Sequence, residues 1–315
     1  MNLQVFSLPL RTRFRGITVR EGILIEGGAG WGEWSPFVEY DDHTAAAWLR
    51  CALEAADGGW PAPVRSHVPV NVTVPAVDAE TAHRMVVNGR CGTAKVKVAE
   101  PGQSLAEDLA RVEAVREALG EQGLIRIDAN GAWDPATALR SIRQLERAAG
   151  GLEYVEQPCA SVEELAQVRG SVEVPIAADE SIRRAADPYL VRDLRAADIA
   201  VLKVQPLGGV RACLRIAADL GMPVVVSSAV ESSVGIAAGL ALAAALPNLH
   251  HACGLATVQL LSRDTCSDPL LPEGGMLAVR RPKVTVEAHP ASPERQRWWL
   301  DRFDRVMALV QDGLS

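Results

Sequence analysis

From about residue 68 onward, short apolar runs alternate with longer stretches rich in Ala, Leu, Glu and Arg. The strand-like runs fall at 68–74, 94–98, 124–128, 152–156, 175–178, 198–203 and 223–227. Helix-like stretches such as 104–119 and 135–149 fill the gaps, and Pro135 after Asp134 suits a first turn, where its missing N–H is not required. Seven strands alternating with helices predict a parallel sheet. The first part of the chain has a different rhythm. Residues 2–9 and 17–26 alternate and predict an antiparallel pair, followed by a glycine turn at 27–30. A helix capped by Asp42 or Thr44 is expected to run to about Ala56, and the Gly/Pro-rich stretch 58–63 reads as a linker. In the tail, 293–314, Trp299, Leu300, Phe303, Val306, Met307 and Val310 form the apolar side of a helix expected to pack on the N-terminal part. The expected organisation is a capping domain at 1–64, the strand–helix repeat at 65–288 and the returning tail at 289–315.

The 315 residues suffice for one large domain and a smaller one. A net charge of −7 without a Lys/Arg block argues against a nucleic-acid surface. The six cysteines show no metal-ligand spacing, and free thiols fit a reducing cytosol. The N-terminus breaks its apolar pattern too early for a signal peptide. The longest near-apolar run, 234–246, is short of the ~20 residues a bilayer span needs. A soluble cytoplasmic protein without a membrane partner is expected.

Charged residues at the run ends change this picture. Lys97, Asp128, Glu156, Asp179 and Lys203 each close an apolar run, at intervals of 23 to 31 residues, about the length of a strand, loop and helix. Five successive parallel strands aim their ends at one point only if the sheet curls, because an open sheet separates its members by ~4.8 Å per strand. A TIM-type barrel with its site on the C-terminal face follows. Its eighth strand is poorly marked, and the stretch 254–261 is the candidate.

Asp128, Glu156 and Asp179 are the candidate metal ligands. Hard oxygen donors without His or Cys favour Mg²⁺, with Mn²⁺ able to replace it. Each acid alone could instead cap the next helix; three in register argue for the metal. Asn130, Glu180 and Glu231 are placed behind the ligands. Lys97 and Lys203 are the candidate proton-transfer groups. Lys95, also a candidate substrate-binding residue, shares a strand face with Lys97, and its charge would disfavour a second ammonium there; the alternative is that both merely neutralise the acids. Arg126 also points inward, to pair with Glu156 or to hold a substrate carboxylate. Ser227, Ser228 and the N–H groups of the segment 227–235 suit an anion, although Ser232 as a simple helix cap explains part of that pattern. Gly254 lies where an eighth-strand loop would approach a ligand, and His250 and His251 read as surface loop. The arginines of 11–15 either close over the barrel mouth or form a basic turn.

Lys95-Val96-Lys97, Asp128-Ala129-Asn130, Glu156-Gln157-Pro158, Asp179-Glu180-Ser181 and the Lys203 strand, in this order, resemble the enolase superfamily, on the branch of muconate-cycloisomerase-like enzymes. The resemblance covers nearly the whole chain, including Gly32-Glu33-Trp34-Ser35-Pro36. It implies an α+β capping domain on a (β/α)7β barrel and one catalytic Mg²⁺; the handling of an enediolate by a Lys or His base with Mg²⁺ is a known pattern of this superfamily. Within the branch, 126–130 together with 227–233 is most similar to members that act in menaquinone biosynthesis. That similarity implies syn dehydration of 2-succinyl-6-hydroxy-2,4-cyclohexadiene-1-carboxylate to 2-succinylbenzoate. Lys97 would move the proton and Lys203 would steady the enediolate from the opposite face. Racemisation of N-acylamino acids or epimerisation of dipeptides by Lys97 and Lys203 as opposed bases is the nearest rival. A cycloisomerase and a non-catalytic binding protein on the same barrel are weaker ones. The chain is short for the superfamily, which implies trimmed capping-domain loops.

Overall fold

The computed structural model describes residues 1–185, 187–285 and 289–312, so the expected border at 288 and the tail beyond 312 lie outside the described residues. The chain starts with an antiparallel sheet of β1 (Asn2–Phe14), β2 (Ile17–Gly27) and β3 (Gly30–Trp34). Arg15 and Gly16 turn the first hairpin with φ of 50° and 77°. Helix α1 (Asp42–Leu53) follows, and Asp41, not Asp42 or Thr44, supplies the cap by accepting from the Thr44 N–H. The helix then loosens into a π turn at Glu54–Gly58.

The apolar run 68–74 is two strands, not one. β4 (His67–Pro69) pairs antiparallel with β12 (Met276–Ala278), whereas β5 (Val72–Val74) joins the barrel. A period-two pattern shows which face is apolar but not where the partner strand changes.

The repeat then runs α2 (Ala79–Gly89), β6 (Thr93–Lys97), α3 (Leu105–Leu119), β7 (Leu124–Asp128), α4 (Pro135–Ala149), β8 (Tyr154–Glu156), α5 (Val162–Arg169) and β9 (Ile176–Ala178). Next come the short α6 (Glu180–Arg183) and α7 (Leu190–Asp193), β10 (Ile199–Lys203), α8 (Val210–Leu220), β11 (Val224–Ser227) and α9 (Ser233–Ala245). Side-chain caps start the helices where the sequence places Ser or Asp. Ser104 and Ser161 form capping boxes with Glu107 and Glu164, and Asp134 caps α4 ahead of Pro135.

The seven strands β5 to β11 pair in sequence order, all parallel. No eighth strand forms at 254–261, where a 3₁₀ turn (Thr257–Leu260) sits instead. Closure is left to single parallel bridges, Val70 to Cys253 and Ser227 to Gly254. The seam is tight: a Cβ on Gly254 would lie 2.6 Å from Ser227 Oγ. A side chain there would have to turn the Ser227 hydroxyl aside.

The last helix, α10 (Pro293–Asp312), returns to the N-terminal sheet. Trp299 and Phe303 pack edge-on against Trp34 at 5.5 and 5.7 Å, in a core shared with Phe37 and Trp48. Leu300 departs from the expected apolar side; it is 38% exposed. Helix α9 is buried along its length because it lies against both β11 and β3 of the cap. Its uniformly apolar sequence reflects this double contact.

Candidate active site

The register of β6, β7 and β8 sets Lys97 beside Asp128 and Asp128 beside Glu156, all at the C-terminal strand ends. Asp179 follows β9, and Lys203 ends β10 next to Ser227. The five residues expected at one mouth are therefore brought there. β6 and β10 stand four places apart in a ring of seven strands and one bridging segment, so Lys97 and Lys203 face each other across it. Both line a cavity of about 750 Å³, as do Lys95, Asn130, Ser227, Ser228 and Gly254. The cap contributes the roof: Arg13, Phe14, Arg15 and Gly16 of the first hairpin reach over the barrel.

Asp128, Glu156 and Asp179 are fully buried, and each is held by cations. Lys97 donates to Asp128 Oδ2 and, at 2.7 Å, to Asn130 Oδ1. Lys95 lies 2.9 Å from both Glu156 oxygens and 3.4 Å from Asp128 Oδ2. Lys203 donates to Asp179 Oδ2 at 2.6 Å and Arg183 to Asp179 Oδ1 at 2.8 Å. Lys95 thus serves the acids directly. Among the described residues no three acidic, His or Cys side chains close on one point as a metal-ligand group. The trio stands side by side with amines between its members, because oppositely charged groups in a dry interior pair with each other.

Burial alone would raise all three carboxyls. Lys97 and Lys95 reverse this at Asp128, and Arg183 and Lys203 at Asp179, so both are held well below the usual range. Glu156 is pushed up to about 7, by burial first and then by Asp128, against the pull of Lys95. Burial works against the Lys95 ammonium as well, yet its two carboxylates hold its pKa above the ordinary value. The pair is thus unevenly matched. One ammonium shared between two acids keeps its charge, while Glu156, beside two anions, is short of positive charge. Glu180 Oε2, close by, is buried and without a hydrogen-bond partner. Buried hard oxygen donors, one of them unpartnered, fit a divalent cation.

Several expectations need correction. Arg126 does not touch the cavity. It is fully buried beneath it, donates to Glu153 at 2.6 Å, Asn71 at 3.2 Å and the Ala252 carbonyl at 2.6 Å, and lies 4.7 Å over the Tyr154 ring. Lys95, its register partner on β6, reaches the cavity, whereas the Arg126 guanidinium is drawn away from it by Glu153 and the Ala252 carbonyl. His251 is no free loop residue; its Nδ1 lies 2.7 Å from Glu153 Oε1. The anion expected at the start of α9 comes from the chain itself. Glu33 accepts from the Ser232 N–H and hydroxyl and from the Gly235 N–H, while Ser232 caps the helix. Glu231 is buried behind the mouth, where it accepts from the Ala229 N–H. Ser228 is turned to the Gly254 carbonyl and to Thr257. Asn130 and Glu180 do stand next to the ligands, joined by a 3.2 Å hydrogen bond.

Sequence reasoning missed Arg183, Tyr40 and Arg20. Arg183, four residues after Asp179, carried a usable signal, since i and i+4 meet on a helix. Arg20, buried at the cap–barrel contact, donates to the Val230 carbonyl and the Ser35 hydroxyl. A period-two strand pattern treats it as an outward polar residue.

Comparison with known proteins agrees with this construction. Residues 77–283 match the family described as enolase C-terminal domain-like, and residues 5–56 the one described as enolase N-terminal domain-like. The chain is 65% identical over 298 residues to the o-succinylbenzoate synthase of Thermobifida fusca (strain YX), covering 93% of each chain. It is 55% identical over 312 residues to the o-succinylbenzoate synthase of Mycolicibacterium smegmatis, covering 98% of this chain and 96% of that one. Among solved structures, the L-Ala-D/L-Glu epimerase from Bacillus subtilis superposes with a TM-score of 0.76 at 23% identity, covering 92% and 98% of the two chains. Muconate cycloisomerase from Pseudomonas fluorescens gives 0.73 at 23% identity, covering 94% and 97%. These two likenesses show the fold, a TIM-type barrel under an N-terminal cap. The chain belongs to the enolase superfamily and, within it, to the family of o-succinylbenzoate synthases.

Proposed function

We propose that this chain is an o-succinylbenzoate synthase, a hydro-lyase that dehydrates 2-succinyl-6-hydroxy-2,4-cyclohexadiene-1-carboxylate to 2-succinylbenzoate for menaquinone biosynthesis. The observation that carries the mechanism is the opposition of Lys97 and Lys203 across a mouth floored by three buried carboxylates. Asp128, Glu156 and Asp179 would hold one divalent ion, Mg²⁺ by the hardness of the donors, with Mn²⁺ able to replace it. When bound, that ion supplies positive charge to the substrate carboxylate as a second negative charge develops on it.

The chain's own groups do the rest. Lys97 takes the proton α to the carboxylate, which requires it to release Asp128 and Asn130 and become neutral. It then returns that proton to the departing hydroxide on the same ring face, giving syn elimination. Lys203 stays charged and faces the enediolate from the other side. Loss of water produces an aromatic ring, so the second half is intrinsically downhill. Ser227, Ser228 and Gly254 line the mouth where the substrate would lie, and Arg13, Arg15 and Arg184 give its rim positive charge suited to a dianion. Four carboxylates, Asp128, Glu156, Asp179 and Glu180, face four cations, Lys95, Lys97, Lys203 and Arg183. The capping hairpin over the mouth would exclude water. The six cysteines, all buried and free, fit a reducing cytosol, and no described helix is long and apolar enough to cross a membrane.

The opposed amines also suit an epimerase, the activity named for the Bacillus subtilis structure at 23% identity. The 65% identity to a synthase favours dehydration. An absorbance assay of the purified chain on the cyclohexadiene, with Mg²⁺ and then with a chelator, tests the reading. Aromatic product that disappears on chelation supports it. Absence of dehydration together with rapid α-proton exchange of N-acylamino acids in D₂O would replace it with the racemase or epimerase reading.

A further inference from the structure

One cation in the mouth has no part in proton transfer. Arg183 donates through Nε to Asp179 Oδ1 at 2.8 Å, through Nη2 to Glu180 Oε1 at 2.5 Å, and through Nη1 to the Tyr40 hydroxyl at 3.4 Å. Its side chain is 7% exposed. Tyr40 belongs to the cap, where its ring packs against Phe37 and Trp48. The Tyr40 hydroxyl also accepts from Arg15 Nη2 at 2.8 Å, and the Arg15 guanidinium lies 3.8 Å over the Phe37 ring. An unbroken polar chain therefore runs from Lys203 through Asp179, Arg183 and Tyr40 to Arg15 in the turn of the capping hairpin.

We propose that Arg183 is a positioning residue that fixes Asp179 and Glu180, and that the Tyr40 hydroxyl makes this fixing depend on the hairpin lying over the mouth. The inference rests on Asp179 being a metal ligand, as argued above. A planar guanidinium holds two carboxylates and a hydroxyl in set directions, which the flexible Lys203 on the other Asp179 oxygen does not. Because the Tyr40 hydroxyl accepts from both guanidiniums, lifting the hairpin removes the Arg15 hydrogen bond that helps hold that hydroxyl against Arg183. Metal binding and hairpin closure are then coupled, and each must strengthen the other.

The test uses the full chain with Mn²⁺ as the probe, its affinity read by electron paramagnetic resonance and the hairpin read by hydrogen exchange of the amides at 13–17. Arg183→Met is expected to weaken Mn²⁺ binding about 10–100-fold, with Arg183→Lys failing to restore it. Mn²⁺ is expected to slow hairpin exchange in wild type and to do so far less in Tyr40→Phe, a variant that keeps the ring packing. Wild-type Mn²⁺ affinity in Arg183→Met, or equal Mn²⁺ protection of the hairpin in wild type and Tyr40→Phe, overturns the proposal. Should Arg183→Met not fold, the Tyr40→Phe comparison decides alone. Failure of wild type to bind Mn²⁺ would instead overturn the metal reading, and the coupling with it.

Discussion

Lys95 sets its ammonium 2.9 Å from each oxygen of Glu156, in a place where both side chains are almost wholly shut off from water. Lys95→Met leaves that carboxylate without its cation. Breaking a buried pair from one side costs about 3–5 kcal/mol. Urea unfolding without metal is expected to show a loss of this size. Saturating Mg²⁺ is expected to recover part of it, since a ligand that binds only the folded state stabilises that state. Unchanged metal-free stability would mean that Glu156 does not depend on Lys95.

Glu33 joins the cap to the barrel by accepting from Ser232 and Gly235 at the start of α9. Glu33→Ala strands those donors in a dry contact, at a cost of about 2–4 kcal/mol. Urea unfolding of Glu33→Ala beside wild type measures it, and dehydration activity should fall too, because the hairpin above the mouth belongs to the same cap. A variant as stable and active as wild type would remove Glu33 from the account.

The Glu153 carboxyl, facing His251 and Arg126, makes acid stability measurable. Burial opposes its charge, but the His251 and Arg126 hydrogen bonds lower its pKa from 4.5 to about 2. A group depressed in the folded state contributes stability that is complete above its unfolded pKa and is lost as pH falls through the folded one. The contribution, up to ~3 kcal/mol, should therefore disappear between about 4.5 and 2. Glu153→Gln should flatten that part of the stability profile while KM stays near wild type, because neither Glu153 nor Arg126 lines the cavity. A large rise in KM would restore Arg126 to the substrate.

The candidate site group was legible from the regular spacing of strand, loop and helix. Lys97, Asp128, Glu156 and Lys203 each end a strand and Asp179 follows one, and parallel strands of one barrel end at one face. What stayed hidden depends on contacts between distant parts of the chain. Tyr40 meets Arg183 and Glu33 meets Ser232 only once the cap has docked, and no local period records that. The inward direction of Arg126 was legible, but its partners were not: alternation tells which face a side chain takes, while Glu153 and the Ala252 carbonyl, which draw it from the mouth, come from distant parts of the chain. The eighth strand was faint because it is hardly a strand; Cys253 and Gly254 close the ring by two bridges.

The most direct test of the account is the dehydration rate of Lys97→Ala on the succinyl cyclohexadiene, at saturating Mg²⁺ and with folding checked by urea unfolding. Removing the group that carries the proton should lower kcat by at least ~10³-fold, while the variant remains folded and still binds the ion. A folded Lys97→Ala that dehydrates at the wild-type rate would contradict the assignment of the proton to Lys97.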